Sequence, residues 1–320
     1  MTRYGFHASH EQIAPRQLLA DVQRAEQAGF EAAMCSDHFS PWSRRQGHSA
    51  FAWSWLGAAL ATTRLTFGTV CAPGQRYHPA VVAQAIATLG SMFPGRFWAA
   101  LGSGEASNEH ITGERWQPKE IRTRRLEECV DVIRGLLRGE EVSHDGLVTV
   151  DRARLWEVPD PPPRLVGPAV SLDSAARVAA WSDGMVTVNQ RPETLRSMVE
   201  THRTAGGTGP LALQVHLSWA PCETEAEQVA HGQWRSNVFG EPLAWDLETV
   251  DAFEVASLDV TVEKVRTVVD VSSDLGWHRD RLHEYAALGF DEIYLHHVGQ
   301  SQERFIDEFG EHVLPQLKEH

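Results

Sequence analysis

The sequence predicts an α/β fold, a (β/α)8 TIM barrel with insertions, and two observations carry that prediction. Short apolar segments alternate with amphipathic helical segments along the 320 residues, the pattern of parallel βα units. Ionisable residues follow two of the apolar segments, at residues 37–38 and at residue 105. The loops after the strands of a parallel barrel meet at one face, where the active site lies. The pattern therefore also indicates where the site should be.

The first half of the chain predicts four βα units. Pro15 begins the first helix, and Gly29 follows it as a C-terminal cap. The predicted strands are residues 4–8, 32–36, 65–69 and 97–101. The predicted helices begin at residue 15, near residue 51 and at residue 80, and a fourth carries Leu126, Val130, Ile133 and Leu137 at the helical period.

The second half continues the alternation around two predicted insertions. Segment 142–158 contains Asp145-Gly146, a hairpin turn, and segment 223–260 mixes helix with irregular structure. The predicted strands are residues 165–167, 184–188, 211–217 and 291–297. The predicted helices are residues 173–181 and 195–202, and a closing helix carries Phe305, Phe309 and Val313. We expect one barrel domain over residues 1–320.

Composition restricts the partners of the protein. With 29 Lys and Arg against 43 Asp and Glu, the net charge of −14 disfavours nucleic acid and anionic membranes. The four cysteines lack CxxC spacing, and no apolar stretch is long enough to span a membrane. We expect a cytoplasmic protein with a small-molecule substrate.

His38, Trp42 and Glu105 are the candidate catalytic residues. A histidine at a strand end more often only bonds to a backbone carbonyl, but Asp37 and Trp42 beside His38 favour a functional cleft. Glu105 follows a strand and two glycines, and the alternative is that it caps the next helix. We favour an acid–base pair beside an aromatic wall.

Other residues are candidates for cofactor binding. Gly104 allows a close backbone approach to a planar ligand, and Asn108 offers an amide. Gly167, Val170 and Ser171 lie between a strand and a helix, where backbone N–H groups can hold a phosphate; the alternative is that Ser171 is an ordinary N-cap. The 16 histidines include no HxH or HExxH spacing, so we expect no metal.

These motifs resemble the luciferase-like superfamily of flavin- and deazaflavin-dependent oxidoreductases. The resemblance rests on four segments in the same order, SDHFSPW at 36–42, GHSAF at 47–51, RYHPAVVAQ at 76–84 and GSGEASNE at 102–109. It implies that His38 takes a hydroxyl proton while hydride passes to the cofactor ring. It also implies that Trp42 stabilises the developing state and that Glu105 donates a proton to the ring.

The resemblance implies further cofactor contacts. Asp37 and Asn108 would contact the cofactor head. Thr69, Val70 and Cys71 would form a bulge behind the ring, which in this superfamily often carries a cis non-proline peptide.

Two departures guide the choice of cofactor and substrate. The most similar branch contains F420-dependent glucose-6-phosphate dehydrogenase, but residues 189–192 and 239–258 lack the lysines expected for a sugar phosphate. Segment 168–171 replaces a glycine pair, as in a sister group that uses ordinary flavin, and Ser171 supplies a hydroxyl for a terminal phosphate. We therefore expect FMN as the leading cofactor, coenzyme F420 as the alternative, and a substrate other than glucose 6-phosphate.

The expected activity is hydride transfer between the cofactor and an alcohol, hemiacetal or carbonyl carbon of a small polar substrate, sugar-like ones included. Two alternatives remain. One is an FMN-dependent monooxygenase that uses O2 and is served by a flavin reductase, and the other is a noncatalytic flavin-binding protein. The resemblance also implies a homodimer.

Overall fold

The structure, a computed structural model, describes residues 1–318, so the last two residues of the predicted domain lie outside the described residues. The described residues form eleven strands. They are β1 (Arg3–Ala8), β2 (Ala32–Ser36), β3 (Thr66–Cys71), β4 (Phe97–Leu101), β5 (Val142–Asp145), β6 (Thr149–Ala153), β7 (Arg164–Pro168), β8 (Met185–Val188), β9 (Leu211–Ser218), β10 (Asp270–Val271) and β11 (Glu292–His297).

Helices follow most of these strands. They are α1 (Pro15–Gln27), α2 (Ala52–Thr62), α3 (Pro79–Met92), α4 (Ala106–Glu109), α5 (Lys119–Leu137), α6 (Leu172–Ala179), α7 (Pro192–Thr204), α8 (Glu223–Trp234), α9 (Leu243–Asp246), α10 (Val250–Ala256), α11 (Val262–Val265), α12 (Leu275–Ala286), α13 (Glu303–His312) and α14 (Leu314–Leu317). Within the described part of the chain, no helix is both long and apolar enough to cross a membrane.

Eight parallel strands close into a barrel, which confirms the predicted fold. The order around the barrel is β1-β2-β3-β4-β7-β8-β9-β11, and β11 pairs with β1 to close it. The short β10 pairs with the end of β9. β5 and β6 form a separate antiparallel hairpin where the first insertion is predicted, and α8 to α10 occupy most of the second.

Helix α12 was not predicted from the sequence. Its buried residues are His278, Leu282 and Tyr285, so a histidine occupies one of the three positions that face the core. That polar residue weakens the apolar period by which amphipathic helices are recognised.

Side chains of the barrel strands alternate between the helix-facing core and the lumen. In β1, Tyr4 and Phe6 pack in the large outer core, while Gly5 and His7 face inward. In β3, Gly68 faces inward against Trp98, and a Cβ atom there would overlap the indole ring. The inner cluster of buried residues is Ala32, Met34, Trp98, Ala100, Val166, Val186, Ala212 and Tyr294, with Val70 packed against it.

Candidate active site

Glu11 and His38 form an ion pair at the C-terminal face of the barrel. Glu11 follows β1, His38 follows β2, and Oε1 of Glu11 lies 2.8 Å from Nδ1 of His38. The hydroxyl of Ser36 donates to Oε1 at 2.5 Å, and that of Ser9 donates to Oε2 at 2.8 Å. The carboxylate is therefore held on both oxygens.

The two groups shift each other's pKa strongly. Burial of the His38 imidazole disfavours its charged form and lowers its pKa. The attraction of the adjacent Glu11 carboxylate outweighs this effect, so the pKa of His38 is raised to about 9. Burial likewise opposes the charge of Glu11, yet His38 and the Ser36 hydroxyl hold the pKa of that carboxyl well below its usual range. At neutral pH, His38 is therefore an imidazolium ready to donate a proton.

Two tryptophans line the space beside His38. The Trp42 ring meets the imidazole edge to face, with centroids 4.5 Å apart and an interplanar angle of 88°. Trp234, at the end of α8, lies 6.2 Å from Trp42. The structure thus brings Trp42 to His38 as predicted, and adds Trp234, which the sequence analysis did not single out.

Glu105 lies near the His38 pair, and Asn108 connects their loops. Burial raises the pKa of Glu105, and the charge of His38 lowers it in part. Oδ1 of Asn108 accepts the backbone N–H groups of Phe39 at 2.7 Å and Ser40 at 3.3 Å, while its Nδ2 is 3.4 Å from Oε2 of Glu105. Asn108 therefore holds the loop that carries His38.

Asp37 is buried in contacts with the chain itself. The Tyr77 hydroxyl donates to Oδ1 at 3.2 Å, and the Arg76 guanidinium lies 3.4 Å from Oδ2. Burial raises the pKa of Asp37, and the Arg76 charge opposes that rise. Both carboxylate oxygens therefore already have partners within the chain. A direct contact between Asp37 and a cofactor stays a prediction.

Of the three residues expected behind the ring, one faces the lumen. Val70 packs against the inner cluster, whereas Thr69 lies beside Cys35, with Oγ1 to Sγ at 3.5 Å, and Cys71 belongs to the outer core. The expected bulge with a cis peptide is wrong. In residues 1–318 the cis bonds both precede proline, Asp160–Pro161 and Glu241–Pro242. The β3–β4 register stays regular up to Cys71, which leaves no unpaired residue for a bulge.

The glycines and Ser171 have structural tasks in the loops after β4 and β7. Gly104 has φ of +83°, a conformation that favours glycine. A Cβ at Gly167 would overlap Val178 of α6, so this glycine allows helix and strand to pack closely. Ser171 caps α6, since its Oγ accepts the N–H of Ser174 at 3.2 Å and Ser174 Oγ accepts the Ser171 N–H at 3.0 Å. Val170 is 40% exposed beside them.

Three histidines form a polar half of the lumen, a role that the sequence analysis did not assign to them; His7 and His296 are buried, and His216 is partly buried. His7 stacks on His296 with centroids 4.2 Å apart, and His216 lies 5.3 Å from His296. Gln214 Nε2 is 3.1 Å from His216 Nε2 and 3.0 Å from His296 Nδ1. Burial lowers the pKa of His7 to about 4 and of His216 to about 3, so both rings are neutral at pH 7. The sequence feature that could have predicted this cluster is the position of the three histidines in β1, β9 and β11, where their side chains point inward.

The lumen is therefore divided by chemistry. Strands β2, β3, β4, β7 and β8 present small or apolar residues, among them Ala32, Val70, Ala100, Val166 and Val186, which suit a flat ring. The opposite wall presents neutral imidazoles, and the His38–Glu11 pair lies at the rim. Among the described residues, no cluster of three or more His, Cys, Asp or Glu side chains has the arrangement of a metal site.

Comparisons with known proteins identify the family of this chain. The model of the luciferase-like monooxygenase family matches residues 1–292. The F420-dependent glucose-6-phosphate dehydrogenase of Beutenbergia cavernae is 34% identical over 332 residues, covering 99% of this chain and 98% of the relative. The protein of the same name from Intrasporangium calvum is 35% identical over 347 residues, covering 99% of each. A solved F420-dependent secondary alcohol dehydrogenase, in complex with an F420–acetone adduct, has a TM-score of 0.91 and 29% identity over 99% of each chain.

These relatives overturn the expectation that FMN is the leading cofactor. Those reported above, two sequences and one structure, are F420-dependent by name. The Ser171 hydroxyl, on which the expectation rested, is occupied by the capping box of α6. A flavin reductase partner was expected only for FMN and is no longer expected. The homodimer stays a prediction. The family match covers most of the chain, and the chain therefore belongs to the luciferase-like monooxygenase family, as an enzyme of its oxidoreductase class.

Proposed function

We propose that this protein is an F420-dependent dehydrogenase that interconverts a small neutral secondary alcohol and its ketone. The observation that carries the proposal is the His38–Glu11 pair at 2.8 Å, beside Trp42 and within electrostatic reach of Glu105. A buried acid–base group of this kind is what proton transfer at a carbinol oxygen requires.

The residues present fit the deazaflavin cofactor. The apolar wall around Val70 and Ala100 suits its flat ring. The N–H groups of Leu172 and Asp173, in the first turn of α6, lack intrahelical acceptors and suit a phosphodiester. When bound, F420 supplies the two-electron hydride chemistry, which no side chain of the site can provide.

His38 moves the substrate proton. As an imidazolium it donates to the carbonyl oxygen during reduction, and as a neutral ring it accepts the hydroxyl proton during oxidation. Glu11 orients the ring through Nδ1 and stabilises its charge, so that Nε2 is left for the substrate. Trp42 shields this ring from water, and Glu105, whose pKa burial raises, is the proton donor on the cofactor side of the reaction.

The charge of the substrate half favours a neutral alcohol over a sugar phosphate. His7, His216 and His296 are all kept neutral by burial. The chain has three lysines, and none is placed to bind a phosphate in the lumen. Lys119 pairs with Glu241, Lys318 donates to the Gly29 carbonyl, and Lys264 lies on α11. On that wall, a dianionic phosphate would lose its hydration with neither a lysine nor a charged histidine to replace it.

The experiment is a comparison of substrates with purified protein and oxidised F420. We expect 2-propanol to reduce the cofactor, measured as loss of its visible absorbance, and glucose 6-phosphate to do so at least about tenfold more slowly. The reverse assay supplies acetone and reduced F420. If only glucose 6-phosphate reduced the cofactor, the substrate would be a sugar phosphate and not a neutral alcohol. If neither compound reduced F420, the proposed dehydrogenase activity would be refuted.

A further inference from the structure

A cavity lies between the loops after β9 and β11, beside α8 and α13. Its volume is about 580 Å³, and its lining includes Arg45, Trp219, Gln233, Gln300, Arg304 and Phe305. None of these residues takes part in the proposed hydride transfer. In many barrels the loops after the seventh and eighth strands bind phosphate, and β9 and β11 hold those places here.

The charged residues of the cavity lining are two arginines, Arg45 and Arg304, and one carboxylate, Glu225, so the lining carries a net positive charge in an acidic protein. Within residues 1–318, neither Arg45 nor Arg304 has a carboxylate at ion-pairing distance, although the chain carries a net charge of −14. The neighbouring Arg44 differs, because Asp251 holds it at 2.5 Å. Two available guanidinium groups on one cavity are suited to the oxygens of a phosphate.

The floor of the cavity is aromatic. Trp219 and Phe305 are buried, and the guanidinium of Arg304 lies over the Trp219 ring, 5.7 Å from its centroid. His297, also on the lining, stacks on Phe305 with centroids 4.9 Å apart. Such a floor provides apolar contact for the organic part of a ligand, so the site suits an organic phosphate better than a free ion.

A layer of glutamines separates this cavity from the lumen. Gln300 Nε2 donates to the backbone carbonyls of Gln12, Arg45 and Gln46, at 3.0 to 3.1 Å. Gln12 Oε1 lies 2.7 Å from His296 Nε2, on the lumen side, and Gln46 Oε1 accepts the backbone N–H of Trp42 at 2.9 Å. A ligand in the cavity would therefore lie outside the catalytic space.

We propose that this cavity is a binding site for a small organic phosphate monoester, held by Arg45 and Arg304 and distinct from the alcohol site. The phosphate belongs to a metabolite other than the alcohol, since the proposed alcohol is neutral. Inhibition kinetics test this separation.

The test is calorimetric titration of the full-length protein with phenyl phosphate, and with inorganic phosphate for comparison. We expect saturable binding, tighter for phenyl phosphate, that weakens at least about tenfold in the R45Q/R304Q double variant. R44Q is the matched control and should bind as the wild type does, because Arg44 is already paired. Equal binding by the wild type and the double variant, or no saturable binding at millimolar concentration, would overturn the site.

A kinetic arm tests whether the site is distinct. With F420 and alcohol, the double variant should turn over like the wild type, and phenyl phosphate should not compete with the alcohol. Competitive inhibition that R45Q/R304Q abolishes would contradict a separate site and place the phosphate within the substrate's own reach. Because the titration needs neither cofactor nor alcohol, its outcome does not depend on the proposed dehydrogenase activity.

Discussion

The carboxylate of Glu11 lies 2.8 Å from the imidazole of His38, although the two residues follow different strands of the barrel. Burial alone would keep His38 neutral, and it is the Glu11 charge that raises its pKa to about 9. Glu11 is therefore a positioning residue that sets both the orientation and the protonation state of His38. In the proposed reaction, the imidazolium that prevails at neutral pH is the form that serves carbonyl reduction, and the neutral ring serves alcohol oxidation.

E11Q should change the pH profile. In the wild type we expect alcohol oxidation to rise with pH through about 9, as His38 loses its proton, and carbonyl reduction to fall over the same range. Without the carboxylate, burial dominates and the pKa of His38 drops below its ordinary value near 6.5, so both midpoints move to lower pH. Measuring kcat against pH in both directions checks this, with E141Q, an exposed carboxylate, as control. A midpoint that stays near 9 in E11Q would remove Glu11 from this role.

N108A should loosen the loop that carries His38. The variant leaves the N–H groups of Phe39 and Ser40 without their acceptor, at a cost of about 1–3 kcal/mol of stability. We expect kcat to fall about ten- to hundredfold with a smaller change in KM, because the acid is displaced rather than removed. S107A is the matched control, since the buried Ser107 hydroxyl has no hydrogen-bond partner. Equal kcat in N108A and S107A would show that Asn108 does not position His38.

G68A should destabilise the barrel itself. A methyl group at residue 68 would overlap the buried indole of Trp98, and overpacking of this kind costs about 1–3 kcal/mol or more. G57A is the matched control, because a Cβ at that helical position meets nothing within 4 Å and should stabilise by roughly 0.5–1 kcal/mol. Denaturant melts of both variants measure the difference. Equal stability of G68A and the wild type would contradict the inward orientation of Trp98.

The buried histidines should make the fold sensitive to acid. Burial lowers the pKa of His7 and His10 to about 4 and of His216 and His297 to about 3. Below about pH 6.5 the unfolded chain binds these protons and the folded chain does not, so each group removes up to about 1.4 kcal/mol per pH unit as the pH falls. His38 has the opposite sign, because its raised pKa contributes stability below 6.5 that is lost as the pH rises to about 9.

We therefore expect the melting temperature to fall steeply between about pH 6.5 and 4.5. H10F should reduce the slope, since both ring nitrogens of His10 are buried without partners and its ring packs on Trp55 at 4.9 Å. A melting temperature that stays constant down to pH 4.5 would show that these histidines titrate normally in the folded protein.

Much of the fold was predictable because its signals are local. Apolar runs of strand length, separated by amphipathic helices, define parallel βα units, and the residues after them, His38 and Glu105, must lie at one face. Helix α12 was not predicted because the buried His278 weakens its apolar period. The direction in which each side chain of β3 points was also not predicted. Only the register of the barrel shows that Val70 faces the lumen while Thr69 and Cys71 face the helices.

The site was predictable only in part because its pairings are not local. Glu11 is separated from His38 by a full βα unit, and the three lumen histidines come from distant strands. The FMN prediction failed for a different reason. A serine before a helix is a common N-cap whether or not a phosphate binds beside it, and Ser171 is such a cap, so it could not distinguish FMN from F420.

In the proposed reaction, hydride passes directly from a neutral alcohol to F420, and His38 accepts the hydroxyl proton. The most direct measurement is the fate of deuterium when the protein, oxidised F420 and 2-propanol deuterated at its carbinol carbon react in ordinary water. We predict that the reduced cofactor carries one deuterium from the alcohol, and that H38A forms it at least about a hundredfold more slowly while still binding F420. Reduced F420 without deuterium, or an H38A variant as fast as the wild type, would contradict the account.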